Sequence, residues 1–141
     1  MKKLLSITGL VIFLIAIMPL SCKKDKDKSI QEQLTGWWDA TKVRMVEYTN
    51  GVQTTDETMT LPSGSFAFEL KNDGTAYMYT ECEADEPADW EMDGNDLIID
   101  GDAIDYTLSG NTLVFTMVEE YDIYRDELTF TCNKGDGSTC D

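Results

Sequence analysis

Beyond residue 34 the apolar positions recur at every second residue, and no stretch there holds a helical period. Ser65 to Lys71 sets Phe66, Phe68 and Leu70 against Ala67, Glu69 and Lys71. Asn72-Asp73-Gly74 then supplies a hairpin turn, and Thr75 to Cys82 returns, rich in the Tyr and Thr that strands favour. Trp90 and Met92 share the face of another strand; Gly94-Asn95 turns the chain and Leu97 and Ile99 bring it back. Ile104, Tyr106 and Leu108 lead to a second Gly-Asn turn at Gly110-Asn111, then to Leu113, Phe115 and Met117. Leu128, Phe130 and Cys132 finish the series. Two of these units are near-copies: Trp90-x-Met92-x-Gly94-Asn95-x-Leu97-x-Ile99 aligns with Tyr106-x-Leu108-x-Gly110-Asn111-x-Leu113-x-Phe115. Consecutive hairpins of this kind make a meander. About eight strands with one apolar face each would curl into a closed barrel, which removes exposed edges. The pattern therefore predicts an all-β protein, an up-and-down antiparallel β-barrel of about eight strands.

The first thirty residues follow a different plan. Met1-Lys2-Lys3 is a short positive opening, and Leu4 to Met18 carries no charge. That run is short for a membrane span, which needs ~20 apolar residues. It suits the apolar core of a signal peptide. Pro19-Leu20-Ser21-Cys22 follows, and a small residue directly before a cysteine resembles the lipobox of bacterial lipoproteins. The resemblance implies that residues 1–21 are removed and that Cys22 is lipidated and becomes the first residue. Two acyl chains there would give stable anchoring where one gives only marginal binding. Lys23-Lys24-Asp25-Lys26-Asp27-Lys28 cannot bury anything and reads as a tether, so residues 22–33 are assigned to it. The barrel then takes residues 34–133, and residues 134–141 a flexible tail. The expected location is the bacterial cell envelope, at the outer membrane, with the membrane as one partner through the lipid.

Charge narrows the function. The chain has 27 acids against 11 bases, a net charge of −16, and loss of Lys2 and Lys3 with the signal peptide takes it to −18. Such a surface repels phosphate backbones, so nucleic acid is excluded as a partner. There is no histidine, which removes the commonest general base, the usual zinc ligand and the His-activated nucleophiles. No phosphate-binding or dinucleotide fingerprint occurs. Asp89-x-Glu91-x-Asp93-Gly94-Asn95, with Asp100 as twelfth residue, imitates a calcium loop. Leu97 offers it no side-chain ligand, and Trp90 and Met92 fit a hairpin better. No catalytic residue, metal site or cofactor is expected.

Leu34-Thr35-Gly36-Trp37-Trp38 resembles the Gly-x-Trp opening of the first lipocalin strand, with Gly36 and Trp38 at the matching positions. Phe66-x-Phe68-x-x-x-x-Asp73-Gly74-Thr75 and Tyr106-x-Leu108-x-Gly110-Asn111-Thr112-Leu113 resemble the lipocalin-like domains of exported bacterial lipoproteins. The resemblance runs from about Leu34 to Asn133. It implies a lipocalin-like barrel with Trp38 plugging its closed end, and a binding role without catalysis.

Within such a barrel, Trp38, Phe68, Trp90, Tyr106, Phe115 and Phe130 are the candidate interior residues. They either line a site for a small apolar molecule or fill the barrel solidly, since eight strands leave just enough room for either. Arg44 either holds an anionic group or pairs with surface acids. With Cys22 lipidated, Cys82, Cys132 and Cys140 remain, and the flexible run between Cys132 and Cys140 suggests a disulfide there. Cys82 with Cys132 is the competing pair. Two functions stay open: binding of a small apolar molecule or glycan, or an interaction or inhibitor module for an envelope protein. In the second, acidic loops such as Glu83 to Glu86 and Glu119 to Asp122 would steer a basic partner. Replacing Cys22 by Ala is expected to abolish both fatty-acid labelling and membrane retention. Labelling that survives in the Cys22→Ala protein would remove the lipobox reading.

Overall fold

A computed structural model describes residues 28–140, so the expected signal peptide, Cys22 and most of the expected charged tether lie outside the described residues. A short helix, α1 (Ile30–Leu34), precedes ten strands: β1 (Gly36–Thr49), β2 (Val52–Thr60), β3 (Phe66–Leu70), β4 (Thr75–Thr80), β5 (Glu83–Ala84), β6 (Ala88–Asp93), β7 (Asp96–Ile99), β8 (Asp102–Ser109), β9 (Thr112–Tyr121) and β10 (Tyr124–Gly135). Eight of them close an antiparallel barrel in the order β1, β3, β4, β6, β7, β8, β9, β10, with β10 returning to β1. The barrel read from the alternation is the architecture observed. β2 adds to the edge of β1 and β5 to that of β4.

Two-residue turns set the register. Asn50-Gly51 and Asp100-Gly101 take positive φ at both positions, and Gly94 and Gly110 take it at the first of theirs. These are the turns whose twist matches that of paired strands. The turn joining β4 to β5 departs from the usual chemistry, because Glu81 and Cys82 both adopt positive φ without being glycine. It is held by the bond from Glu81 N–H to the Ser65 carbonyl, 2.9 Å, and by a disulfide on Cys82.

One pole of the barrel is closed by α1. Ser29 and Glu32 cap the helix reciprocally, each side chain accepting from the other's backbone N–H. Leu34 and Trp38 are fully buried there, and the Trp38 indole N–H donates to the Leu34 carbonyl at 2.7 Å. The Lys134 ammonium lies 4.6 Å from the Trp38 ring centroid and donates to the Gln33 and Thr35 carbonyls. Burial pulls its pKa below the ordinary lysine value. Gly36 faces this lysine at φ +124°, where a Cβ would meet Lys134 Cε at 3.3 Å, so both backbone and space call for glycine.

Three sequence-based expectations are corrected. The disulfide joins Cys82 to Cys140, not Cys132 to Cys140, and Cys132 is a free, fully buried thiol. The reason is sidedness. Cys132 pairs with Ala40 and Leu113 and points into the barrel, as Phe130 does two residues earlier. The chain after β10 runs over the outside, with Gly137 against the Trp37 ring and Thr139 donating to Asp39 at 3.0 Å. A tail on the outer surface cannot reach an inward thiol through the sheet. By the same geometry, the described part of the expected 134–141 tail, residues 134–140, is not free. Lys134 and Gly135 end β10, Gly135 pairs with Trp37, and a short 3-10 turn (Ser138–Cys140) carries the disulfide. Nor is the whole of 22–33 tether, since α1 begins at Ile30.

The disulfide closes a segment spanning 58 residues. Cys140→Ser is expected to lower unfolding stability by about 2–4 kcal/mol, measured by denaturant titration. Non-reducing peptide mapping should recover a Cys82–Cys140 cross-link; a Cys132–Cys140 cross-link would overturn this pairing.

Candidate functional site

The six candidate interior residues all belong to one apolar cluster. Trp38 lies at the α1 pole. Trp90 is buried and donates its indole N–H to the Lys71 carbonyl at 2.8 Å, close to the narrow seam where β4 and β6 share two residue pairs. Phe68, Phe115 and Phe130 contact one another: Phe68 meets Phe115 edge-on at 4.7 Å between centroids and Phe130 at 5.3 Å, and Phe115 stacks on Phe130 at 5.4 Å. Tyr106 pairs with Phe115 and is half-buried, and burial raises its hydroxyl pKa. The inner space is thus occupied by large side chains, with Leu97, Leu113 and Cys132 essentially inaccessible as well. Toward the end away from α1, Phe66, Met117 and Leu128 are only partly covered, as are Phe68 and Tyr106 nearer the middle of the barrel.

β1, β10 and β9 continue past this open end. β3 pairs only with Gly36–Asp39 of β1, and β8 only with Thr112–Thr116 of β9. Beyond those limits a four-stranded sheet runs on in the order β2-β1-β10-β9. A bond from Asn50 N–H to the Ile123 carbonyl, 2.8 Å, ties its two end turns together. Six of the seven exposed large apolar side chains among the described residues sit on it or on its turns: Val52, Met59, Val118, Tyr121, Ile123 and Tyr124.

The register sorts its side chains onto two faces. One continues the barrel interior and carries four cross-strand rows. Met59, Val43, Phe130 and Phe115 form the first, and Glu57, Met45, Leu128 and Met117 the second. Thr55, Glu47, Asp126 and Glu119 form the third, and Val52, Thr49, Tyr124 and Tyr121 the last. Successive rows are about 7 Å apart. The Tyr121 hydroxyl donates to Asp126 at 2.8 Å. That bond foremost, with lost hydration and the charges of Asp126, Glu119 and Glu47, raises the Tyr121 pKa.

The opposite face is laced with ion pairs. Arg44 grips Asp56 with two bonds, 2.8 and 2.7 Å. Arg125 reaches Glu127 at 2.8 Å and Glu120 at 3.3 Å, and lies over the Tyr48 ring at 5.7 Å. Arg44 therefore pairs with a surface acid, the second of the two roles read for it. The Asp89–Asp100 segment is the β6–β7 hairpin, with Trp90 opposite Ile99 and Met92 opposite Leu97. Two surface depressions lie outside the barrel. One, of about 490 Å³, is lined by Tyr48, Asn50, Ile123, Tyr124 and Arg125; the other, of about 430 Å³, lies beside Gly74, Glu91 and Ile98.

No family model matches the chain, and a search of curated proteins finds no match either.

The sequence reading missed β2 and with it the projecting sheet. Asn50-Gly51 was the available signal, a strong hairpin dipeptide between long polar-rich segments. Cys132 offers a check on the interior. Burial pushes its thiol pKa up to about 12. In the folded protein the thiolate is disfavoured, so alkylation at mild alkaline pH is expected to be negligible until denaturant is added. The unfolded chain releases this proton at a lower pH than the native one, so the contribution to stability falls as pH rises above the ordinary thiol range. Rapid labelling of native Cys132 would contradict the packing described.

Proposed function

We propose that this chain is an exported, lipid-anchored envelope protein that acts without catalysis and recognises another protein through the sheet projecting from its barrel. The observation that carries this reading is the row of exposed apolar side chains at the tip of that sheet, Val52, Tyr124 and Tyr121, with Ile123 in the adjoining turn. Scattered apolar residues on a surface call for no explanation, but a contiguous group is the usual mark of an interaction site. The barrel then serves as a rigid scaffold. The chain enters at the α1 pole, and β1 carries the projecting turns away over 14 residues, on the order of 45 Å. A lipid on Cys22 would hold the first pole near a bilayer and leave the second free.

A second reading has one observation in its favour. The partly covered Phe66, Met117 and Leu128 make an apolar mouth that a small apolar molecule could enter.

Phe115→Ala separates the two. In a packed barrel it is expected to cost about 3–5 kcal/mol of stability, and an apolar fluorescent probe should bind neither the parent nor the variant. A small loss of stability, with probe binding present in the parent and absent in the variant, would establish the carrier reading instead.

A further inference from the structure

The two faces of the projecting sheet differ in how their charge is balanced. On the outer face Lys42, Arg44 and Arg125 stand with Asp56, Glu120 and Glu127, three bases with three acids, and the two arginines are engaged in the ion pairs described. On the inner face Glu47, Glu57, Glu119 and Asp126 stand with no base. None of these four forms an ion pair among the described residues. Glu47, Asp126 and Glu119 are direct cross-strand neighbours, an arrangement that costs stability in an isolated sheet. The same face carries four of the exposed apolar residues: Val52 at 67 %, Tyr121 at 52 %, Met59 at 46 % and Tyr124 at 45 % exposure. The outer face is therefore balanced for water, while the inner face holds like charges without a base, flanked by Met45, Leu128 and Met117 on one side and Val52, Tyr124 and Tyr121 on the other.

We propose that the inner face of the β2-β1-β10-β9 sheet is the docking surface for a basic amphipathic segment of a partner protein. This rests on the protein-recognition reading above and names the partner's chemistry. Apolar side chains of the segment cover Met45, Met117 and Leu128 on one side of the acidic row and Tyr121, Tyr124 and Val52 on the other. Its lysines or arginines reach Glu47, Asp126 and Glu119 between them. Charge complementarity selects this occupant over two others. A second copy would bring the same acidic row against itself, and anionic headgroups would be repelled by it.

The test uses the full chain in non-ionic detergent and a synthetic leucine–lysine peptide patterned as an amphipathic helix, with its leucine–glutamate counterpart as control. The lysine peptide is expected to bind and to shift the NMR signals of Met45, Met117, Tyr121 and Tyr124, while the glutamate peptide does not bind. Glu119→Lys, and separately Glu47→Gln with Asp126→Asn, should weaken binding by about tenfold or more. Glu120→Gln on the outer face should leave it within about twofold, with melting curves showing that each variant folds. Equal losses from outer-face and inner-face changes would mean general attraction to an acidic protein and would overturn the proposal. So would absence of binding, protein dimers that bury Tyr121 and Tyr124, or binding of phosphatidylglycerol vesicles through the same residues. The Phe115 experiment reads the barrel interior independently. A ligand found there removes the protein-recognition reading, whereas a failed peptide titration with a packed interior removes only this assignment.

Discussion

Pairing of the first strand with the last is the interaction on which the rest of the structure depends. Twelve residue pairs join β1 to β10, and without them both strands would be open edges. The ladder puts Trp38, Ala40 and Val43 on the same inward side as Phe130 and Cys132, so it builds the core as well as closing it. It also brings Lys134 to the carbonyls of α1 and carries the following residues back over Trp37. A bulge at Thr41 interrupts the register, and Thr41 Oγ1 donates there to the Thr131 carbonyl at 3.1 Å. The bulge marks a handover. Asp39 is the last residue of β1 paired with β3, and Lys42 is the first paired with β2. A bulge bends and twists its strand. Here it falls where β1 stops being barrel wall and becomes the middle of a projecting sheet.

That sheet sets two solutions to solvent exposure side by side. Val46 shows how the outer face is finished. It lies opposite Asp56 and Glu127 and is buried, though outside the main apolar cluster, amid the ion pairs of Arg44 and Arg125. Exposed pairs of this kind add little stability individually, but their long side chains shelter apolar surface. The inner face has no arginine or lysine to do the same. Met45 and Met117 there are half-buried, Met59 is exposed, and Tyr121 and Tyr124 lie against each other with ring centroids 5.6 Å apart.

The barrel was legible because three kinds of local signal agreed. Alternation put Phe66, Phe68, Trp90, Tyr106, Phe115 and Phe130 on one side, the Gly-Asn and Asp-Gly turns fixed the hairpins, and the repeated unit from Trp90 to Phe115 confirmed the plan. β2 was illegible because Val-Gln-Thr-Thr-Asp-Glu-Thr-Met-Thr has no apolar face, as befits a strand exposed on both sides. α1 was too short to show a period, although Ser29-x-x-Glu32 is a capping box in plain sequence. The disulfide failed for a different reason. Spacing suggested that Cys132 could reach Cys140, yet Cys132 shares its parity with Leu128 and Phe130, and that parity places it inside. The projecting sheet depends on where β3 and β8 stop pairing, a property of the assembled barrel that no single segment announces.

The closing ladder also imposes an order in time. β10 ends at Gly135, and the disulfide partner of Cys82 is Cys140, so the barrel cannot close until residues 124–135 are present, nor the disulfide form until Cys140 is. Hairpins such as β6–β7 can assemble as they emerge, but the barrel cannot. On the proposed export route this would keep the chain threadable during passage through a membrane pore. Barrel closure would then come late, on the far side, with Cys140 arriving after every strand to lock it.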